Sequence, residues 1–319
     1  MSNSTPTPAA PAQSTDPGWF RRMMDSDVMW SFRHSPVAIV AAILAFVMIM
    51  AALFAPLIAP YDPFNPATLN LMDGFTKPMS SSFAGNYFIL GSDNQGRDVL
   101  STILYGSRVS LFVGLSATLF ALVLGTALGL TAGYVGGRVD ATIMRIADIQ
   151  LSFPAILMAL LIFGIARGII PANRQESMAV IVLILAIGLS NWAQFARTVR
   201  GATMVERQKD YVAAARIMGV GPFKILFQHV LPNTLGPVLV IATIGLALAI
   251  IEEATLSFLG VGVPPTQPSL GTLIRIGQQF LFSGEYWILL FPALTLIALA
   301  LSVNLLGDWL RDALNPRLR

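Results

Sequence analysis

The stretch "DYVAAARIMGVGPFKILFQHVLPN", residues 210–233, is a polar, helix-favouring passage in a chain that is otherwise dominated by long apolar runs. Good helix formers extend over residues 205–218, and Gly219 suits the left-handed position that follows a helix. Pro222 suits the first position of a second helix, which we expect to run to about Val230. The sequence therefore predicts two short helices joined by a tight turn, and the second helix leads into the next apolar run.

The composition of the chain indicates that lipid is the solvent for much of it. Of the 319 residues, 55% are hydrophobic and 12% are charged, and soluble domains carry about twice that charged fraction. The net charge of +3 is explained by basic loops on the cytoplasmic side of a membrane, so it does not call for nucleic acid as a partner. The chain has no cysteine, which excludes disulfides, thiol nucleophiles and cysteine metal clusters.

Charge-free apolar windows are near or above the length of about 18–20 residues that crosses a bilayer as a helix. The windows are 36–59, 109–137, 149–166, 177–196, 230–251 and 286–307. The third window is short, and we expect it to extend upstream, where Arg145 and Asp148 can pair on one helix face. A further uncharged run, 254–274, contains three prolines and is predicted to be a loop, because each proline removes a helix hydrogen bond. The sequence predicts an all-α integral membrane protein with six transmembrane helices.

Basic residues predict the orientation of these helices. With the N-terminus inside, 14 of the 20 Lys and Arg residues fall on the inner side and 6 on the outer side. The positive-inside rule then places both termini and the 210–233 stretch in the cytoplasm. The predicted divisions are a flexible N-terminal tail (1–35), a first span (36–59), an extracytoplasmic loop (60–107), a five-helix core (108–307) with a cytoplasmic loop at 200–232, and a cytoplasmic C-terminal tail (308–319).

The 210–233 stretch resembles the cytoplasmic coupling loop of bacterial ABC importer permeases. That pattern is Glu-Ala-Ala, three residues, Gly, nine residues, Ile, one residue and Leu-Pro. Here it falls on Ala213, Ala214, Ala215, Gly219, His229, Leu231 and Pro232, and the segment also includes Tyr211 and Pro222. Ala213 stands where the pattern has Glu, and His229 stands where it has Ile. Without the resemblance, the same spacing also fits an ordinary amphipathic helix on the membrane surface.

Two further stretches carry the resemblance. The sequence "LGSDNQGRDVLSTILYGSRVSL", residues 90–111, resembles the Gly-x-Asp-x-x-Gly-Arg-Asp element of the dipeptide, oligopeptide and nickel permease family. The element occupies Gly91, Asp93, Gly96, Arg97 and Asp98. An arginine between two acids can fix a turn through charge-assisted hydrogen bonds. The sequence "APLIAPYDP", residues 55–63, resembles the end of the first span in the C-type subunit of that family.

The resemblance covers most of residues 36–315 and implies a fold, a location and partners. It implies a type I ABC importer permease fold in the bacterial inner membrane, with the Gly-Arg-Asp element at the outer mouth. The implied partners are a homologous second permease, two cytoplasmic ATP-binding subunits, an extracytoplasmic solute-binding protein and membrane lipid. The implied cargo is di- or oligopeptides, and the alternatives are nickel complexes, glutathione or oligosaccharides.

The chain itself is predicted to be non-catalytic and to bind no cofactor. It has no Gly-x-x-x-x-Gly-Lys-Ser/Thr phosphate loop, so ATP and Mg are expected in the partner subunits. Its two histidines are far apart in the sequence and suggest no metal site. A stand-alone secondary transporter is the main rival from another class, and a membrane scaffold without transport is a third hypothesis.

Glu252 and Glu253 close the fifth predicted span and leave two hypotheses open. They can line the translocation pathway, or they can be interface residues that bond to the neighbourhood of Ser257 or to the partner permease. Asn191, near the inner end of the fourth span, is expected to be solvated. Three glycines at i,i+4 spacing on the second span, Gly125, Gly129 and Gly133, are expected to serve helix packing.

Overall fold

The computed structural model describes residues 27–65, 69–83 and 85–313. The predicted N-terminal tail falls largely outside this range, as does about half of the predicted C-terminal tail. The helices are α1 (Asp27–His34), α2 (Pro36–Leu53), α3 (Ala55–Ile58), α4 (Val99–Val135), α5 (Gly137–Leu151), α6 (Ala155–Ile169), α7 (Ala172–Glu206), α8 (Asp210–Ile217), α9 (Pro222–Ile225), α10 (Leu231–Phe258), α11 (Leu270–Gln278) and α12 (Trp287–Ala313). A short antiparallel hairpin joins β1 (Ser80–Ser81) to β2 (Tyr87–Phe88).

Five uninterrupted helices in the described part of the chain are long and apolar enough to cross a membrane. They are Pro36–Leu53, Val99–Val135, Ala172–Glu206, Pro222–Phe258 and Trp287–Ala313. A sixth candidate is the pair α5 and α6, which are bent by 97° relative to each other. The structure therefore supports five spans, or six if the bent pair is one span.

The third predicted span, 149–166, is not one straight helix. α5 ends at Leu151 and α6 begins at Ala155, with Pro154 immediately before it. Proline disfavours the helical conformation in the residue before it and cannot donate a helix hydrogen bond, so the chain turns here. The expected pairing of Asp148 with Arg145 is also wrong, because Asp148 accepts a hydrogen bond from Arg197 of α7.

The uncharged run 254–274 is only partly a loop. α10 continues through Phe258, and α11 begins at Leu270. All three prolines of this run lie between these helices, so they do not interrupt either one. Ser269 caps α11, because its side chain accepts a hydrogen bond from Thr272 N. The prediction placed the loop correctly around the prolines but extended it too far on both sides.

Close packing of α4 against α7 forms the centre of the bundle. A Cβ atom at Gly125 would lie 2.5 Å from Trp192 O, and one at Gly129 would lie 2.5 Å from Ala196 O. Gly133, one turn further on, is equally enclosed. The glycines therefore allow the backbones of the two long helices to come into direct contact. Such contact increases van der Waals attraction between the helices, which matters in a membrane because the hydrophobic effect does not drive helices together there.

The bundle has two ends, which we name from the motifs that they carry. The Gly-Arg-Asp end holds residues 59–65, 69–83 and 85–98, where α4 begins. The coupling-loop end holds residues 207–230, where α7 ends. Arg207 Nη1, just after the last turn of α7, donates a hydrogen bond of 2.8 Å to Gly133 O near the last turn of α4, so α4 and α7 run parallel. α10 returns across the bundle. The start of α10 packs with Leu130, near the end of α4. Ile250, near the end of α10, packs with Val99 at the start of α4.

Candidate functional site

The turn at Gly219 has the left-handed geometry that its sequence context suggests. Gly219 has a φ of 76°, a conformation that costs most L-residues about 1–2 kcal/mol. Gly219 N donates to Arg216 O and Val220 N donates to Ala215 O, each at 3.0 Å. These bonds close the end of α8, and Pro222 then opens α9 in its first turn.

The first helix of this segment is shorter than predicted. α7 continues to Glu206, and the chain turns over residues 207–209 before α8 begins at Asp210. Arg207 explains the break, because its guanidinium donates to Gly133 O and Tyr134 O at the end of α4. This anchor fixes the point where the chain leaves the bundle and turns into α8.

α8 has one buried face and one exposed face. Val212 is fully buried and Ala215 is 2% exposed, and both pack with residues of α4, α7 and α9. The other predicted coupling alanines, Ala213 and Ala214, are exposed. Ile217, one turn further, is 88% exposed. The structure thus divides the predicted residues between an internal anchor and an outward apolar surface.

A hydrogen-bonded network ties α8 to the ends of α7 and α10. Tyr211 Oη donates to Glu206 Oε2 at 2.5 Å, and Lys209 Nζ donates to Glu206 Oε1 at 2.6 Å. Asn233 Nδ2 donates to His229 O at 2.7 Å and to Tyr211 Oη at 3.2 Å. Burial, followed by the hydrogen bond to Glu206, raises the pKa of Tyr211, so its hydroxyl stays protonated as the donor.

This network includes groups that the sequence pattern did not indicate. Tyr211 was predicted as a coupling residue, but Glu206 and Asn233 were not. His229 takes part through its backbone carbonyl, and its ring lies 6.4 Å from the ring of Tyr211 between centroids. Tyr211, Lys209 and Asn233 are exposed and Glu206 is buried, so the network joins the surface of α8 to the buried end of α7.

Leu231 and Pro232 continue the helix instead of ending it. Residues Leu226–Val230 form one π-helical turn, and Leu231 N donates to Leu226 O. A proline cannot donate the usual helix hydrogen bond, and a wider turn accommodates that loss without a break. The helical path therefore runs from Pro222 to Phe258, which joins the coupling-loop end to the Gly-Arg-Asp end.

A buried ion pair organises the Gly-Arg-Asp element. Arg97 Nε donates to Asp93 Oδ2 at 2.7 Å, and the two side chains are 5% and 4% exposed. Asp93 Oδ1 also accepts from Gln95 N and Arg97 N, at 2.8 and 2.9 Å. These charge-assisted bonds close the turn on itself, as the residue types predict.

The other residues of the element connect this turn to the bundle. Gly91 and Gly96 have φ angles of 83° and 75°, and a Cβ atom at Gly96 would lie 2.2 Å from Asn70 O. Asp98 caps α4, because its Oδ2 accepts from Ser101 N at 2.8 Å and Ser101 Oγ at 2.6 Å. Burial raises the pKa of Asp98, and the bonds from Ser101 partly oppose that rise.

Glu252 and Glu253 have different partners inside the bundle. Asn191 Nδ2 of α7 donates to Glu252 Oε2 at 2.7 Å, so the expectation that Asn191 is solvated is wrong. The packing of α10 against α7 brings these two side chains together. Glu253 is fully buried, and its Oε1 accepts from Ser257 Oγ at 2.7 Å. Ser257 Oγ also accepts from Val263 N at 3.1 Å, which connects Glu253 to the proline-containing loop.

The structure places the predicted residues in three separate groups. The coupling residues lie at one end, the Gly-Arg-Asp element lies at the other, and Glu252 and Glu253 lie inside the bundle, where α10 packs against α7. Within residues 27–65, 69–83 and 85–313, no group of three or more His, Asp or Glu side chains could hold a metal ion.

Comparison with known proteins relates both ends of the chain to transport proteins. Residues 125–319 match the family described as "Binding-protein-dependent transport system inner membrane component". Residues 26–78 match the "N-terminal TM domain of oligopeptide transport permease C".

Individual relatives extend over almost the whole chain. The di/tripeptide transport system permease protein DppC of Pseudomonas aeruginosa is 35% identical over 309 residues, which is 97% of each chain. The glutathione transport system permease protein GsiD of Pectobacterium atrosepticum is 35% identical over 288 residues, which is 90% of this chain and 89% of the relative.

The fold has a counterpart among solved structures. An inward-facing structure of the MetNI methionine ABC transporter aligns with a TM-score of 0.53 and 21% identity, over 67% of this chain and 96% of that chain. Together with the apolar helices, these matches confirm the resemblance predicted from the motifs. The chain is a multi-pass membrane protein that belongs to the family of binding-protein-dependent transport system inner membrane components.

Proposed function

We propose that this chain is the C-type permease subunit of an ATP-driven importer and forms half of its translocation pathway. The observation that carries the proposal is the geometry of residues 210–233 in a member of this family. A buried anchor at Val212 and Ala215 holds an exposed apolar surface at Ala213, Ala214 and Ile217. Such a surface on a rigid mount suits the groove of a partner subunit.

The proposed partners are a homologous second permease, two cytoplasmic ATP-binding subunits and an extracytoplasmic solute-binding protein. ATP and Mg bind to the ATP-binding subunits in this proposal. Closure of those subunits moves α8, and the continuous helix Pro222–Phe258 transmits the displacement to the opposite end of the bundle. If the protein were a stand-alone secondary transporter, the exposed tip of α8 would have no role.

The proposed topology has six spans, with both termini in the cytoplasm of a bacterial inner membrane. The bent pair α5 and α6 counts as the third span, because Phe163 of α6 packs with Val182 of α7 in the half of the bundle nearer the Gly-Arg-Asp end. The basic residues of the coupling-loop end support its cytoplasmic location. The Gly-Arg-Asp element then lies on the extracytoplasmic side.

The proposed cargo is a di- or oligopeptide. The support is the name of the 35%-identical relative from Pseudomonas aeruginosa, which covers 97% of this chain. Glutathione is the second candidate, because a relative of equal identity is named as a glutathione permease. Both cargoes are short peptides with free carboxylates.

Two measurements test this proposal together. The tagged protein is purified from native membranes in mild detergent, and its companions are identified by mass spectrometry. We expect a second permease and ATP-binding subunits, and we expect deletion of the gene to abolish uptake of labelled dipeptide. Purification of a folded protein without these companions, with dipeptide uptake unchanged, would contradict the proposal.

A further inference from the structure

A cavity opens at the Gly-Arg-Asp end, between α6, the start of α7 and the loop 259–269. Its volume is about 370 Å³, which lies within the range of small-molecule sites. Phe163 and Val182 form part of its apolar floor, and Arg167, Glu176 and Arg275 contribute charged groups to its lining. None of these charged residues belongs to the motifs from which the function was inferred.

The two arginines of the cavity are available to an anion. Neither Arg167 nor Arg275 forms an ion pair with a carboxylate in the described part of the chain, and both are exposed. Arg167 Nε donates to Gln175 Oε1 at 3.2 Å, and Gln175 Nε2 donates back to Arg167 O at 3.1 Å. These neutral contacts orient the guanidinium of Arg167 without neutralising its charge.

The remaining charged group of the cavity has the opposite sign. Glu176 Oε1 accepts a hydrogen bond of 2.8 Å from Thr266 Oγ1, which joins α7 to the proline-containing loop. This bond leaves the negative charge of Glu176 uncompensated by any ion pair among the described residues. The cavity therefore presents two positive groups and one negative group around an apolar floor.

The wall of the cavity is fixed in place before any ligand binds. Gly260 has a φ of 82°, and a Cβ atom there would lie 2.7 Å from Arg275 Nη1, so the guanidinium rests directly on the glycine. The next part of the loop is held by Ser257, which binds Val263 N and Glu253. Fixed charged groups lose little conformational entropy on binding, which favours specific recognition.

These observations match the chemistry of a short zwitterionic peptide. A guanidinium binds a carboxylate through paired, parallel hydrogen bonds, and a carboxylate binds an ammonium group as a point charge. We propose that this cavity binds a free dipeptide or tripeptide, with its α-carboxylate at Arg275 and Arg167 and its α-ammonium at Glu176. The apolar floor then receives a side chain of the peptide.

This inference rests on the proposed function and adds a cargo site within the permease itself. It predicts that the permease distinguishes peptides by their free termini, in addition to any selection by a binding protein. A peptide with an amidated C-terminus or an acetylated N-terminus lacks one of the two charges. Loss of one charged hydrogen-bonding partner is expected to weaken binding about tenfold.

The absence of cysteine from the chain allows a direct test by thiol labelling. Ala172→Cys places a thiol in the lining of the cavity, and Asn173→Cys places an exposed thiol on the adjacent residue outside that lining. Both variants are purified as the complete transporter without binding protein, with any cysteine in its companions replaced. The rate of maleimide labelling is then measured with increasing Ala-Phe, Ala-Phe amide or N-acetyl-Ala-Phe.

We expect Ala-Phe to slow labelling of Ala172→Cys several-fold and to leave Asn173→Cys unaffected. The amidated and acetylated peptides should require about tenfold higher concentration for the same protection. Adding Arg275→Gln should reduce the preference for the free carboxylate, because only Arg167 then remains to bind it, whereas Arg174→Gln, outside the lining, should preserve the preference. Because the modified peptides act on unaltered Arg275, the test stands even if Arg275→Gln fails to fold.

Equal protection by all three peptides would overturn the proposed site, as would an unchanged preference in folded Arg275→Gln. Absence of protection in a transporter that imports Ala-Phe would overturn the site alone and leave the proposed function intact. Absence of both protection and peptide uptake would overturn both proposals.

Discussion

Asp93 and Arg97 are buried charged side chains, so the contribution of each one to stability depends on the presence of the other. Replacing Asp93 by Asn leaves the guanidinium of Arg97 buried without its counter-charge, although Asn retains most of the shape. Loss of one partner of a buried pair costs about 3–5 kcal/mol. We therefore expect Asp93→Asn to lower the thermal unfolding midpoint of the purified protein clearly.

Lys77→Gln is a suitable control for this variant. Lys77 lies in the same connecting segment but is exposed, and exposed charges contribute little. An Asp93→Asn protein that unfolds at the same temperature as Lys77→Gln would show that the ion pair does not organise the turn.

The raised pKa of Asp98 predicts that the stability of the protein depends on pH. Burial raises its pKa above the ordinary value of 3.8, so the native state binds its proton more readily than the unfolded state. Between the two pKa values the native state carries more bound proton, and the contribution of Asp98 to stability therefore falls as pH rises through this window. Asp98→Asn lacks the titration and retains an oxygen that can accept from Ser101.

We expect the stability of wild type relative to Asp98→Asn to decrease as pH rises above about 4, the ordinary pKa of an aspartate. Thermal unfolding midpoints of both proteins across this range measure the difference. A constant difference would mean that Asp98 has the same pKa in both states.

At the scale of residues, the sequence indicates local geometry and misses long-range pairs. The Asp93–Arg97 turn and the left-handed Gly219 depend on a few neighbouring residues, so their residue types predict them. The bond between Asn191 and Glu252 joins residues 61 positions apart. It depends on how two apolar helices rotate against each other, and the apolar pattern of those helices does not specify that rotation.

The contact of α4 with α7 makes a prediction about helix packing. A Cβ atom at Gly129 would lie 2.5 Å from Ala196 O, so even alanine forces the helices apart. Overpacking of this kind costs about 1–3 kcal/mol. We expect Gly129→Ala to lower the unfolding midpoint of the purified protein.

Gly164 supplies the matched control on α6. A Cβ atom there would meet nothing within 4 Å, and alanine is favoured over glycine in helices by up to about 1 kcal/mol. Gly164→Ala should therefore be neutral or stabilising, opposite in sign to Gly129→Ala. Equal effects of the two substitutions would argue against close packing of α4 on α7.

The turn after α8 tests whether its shape serves docking of the ATP-binding subunits. Gly219→Asp adds a charge and a side chain at a left-handed position, so we expect the recovery of ATP-binding subunits with the purified protein to fall severalfold while membrane insertion is unchanged. Gly221→Asp adds the same charge at a φ of −63°, where an L-residue is not strained. Its effect should be smaller.

The amounts of ATP-binding subunit are compared by quantitative mass spectrometry at equal amounts of permease. Normal recovery with Gly219→Asp would remove the proposed role of the turn. Equal losses with both variants would assign the effect to charge instead of backbone geometry.

At the scale of helices, hydropathy identifies the apolar segments but not their breaks. The bend between α5 and α6 falls beside Pro154, yet a single proline is compatible with a kinked span, so the sequence alone leaves the angle undetermined. The run 254–274 shows the reverse case. Its prolines indicate a loop, but the capping hydrogen bond at Ser269 limits that loop and starts α11.

At the scale of the whole molecule, the order of the motifs is more informative than any one of them. The Gly-Arg-Asp element, the coupling pattern and the apolar windows together predicted the family that the comparisons confirm. The number of crossings depends on one feature, because the helices give five spans or six according to whether the bent pair crosses. That choice reverses the side of the membrane for every residue after the pair.

Single cysteines can decide between these topologies, because the chain contains none. Phe83, Ile217 and Phe282 are 98%, 88% and 99% exposed, and they lie before the pair, in the segment after α7, and after α11. Six spans with a cytoplasmic N-terminus place positions 83 and 282 outside and position 217 inside. We therefore expect a membrane-impermeant maleimide to label Phe83→Cys and Phe282→Cys in intact spheroplasts, and Ile217→Cys only after permeabilisation.

Five spans predict a different pattern from the same orientation of the N-terminus. Positions 83 and 217 would then both be outside, and position 282 would be inside, because the bent pair would not return the chain across the membrane. This arrangement would require α4 and α7 to run antiparallel, contrary to their parallel contacts. An inverted six-span protein would label at position 217 alone. Since each arrangement gives its own pattern, labelling of positions 83 and 282 without 217 requires that residues 137–169 cross the bilayer despite their 97° bend. That result would also place the exposed tip of α8 on the side where ATP is available.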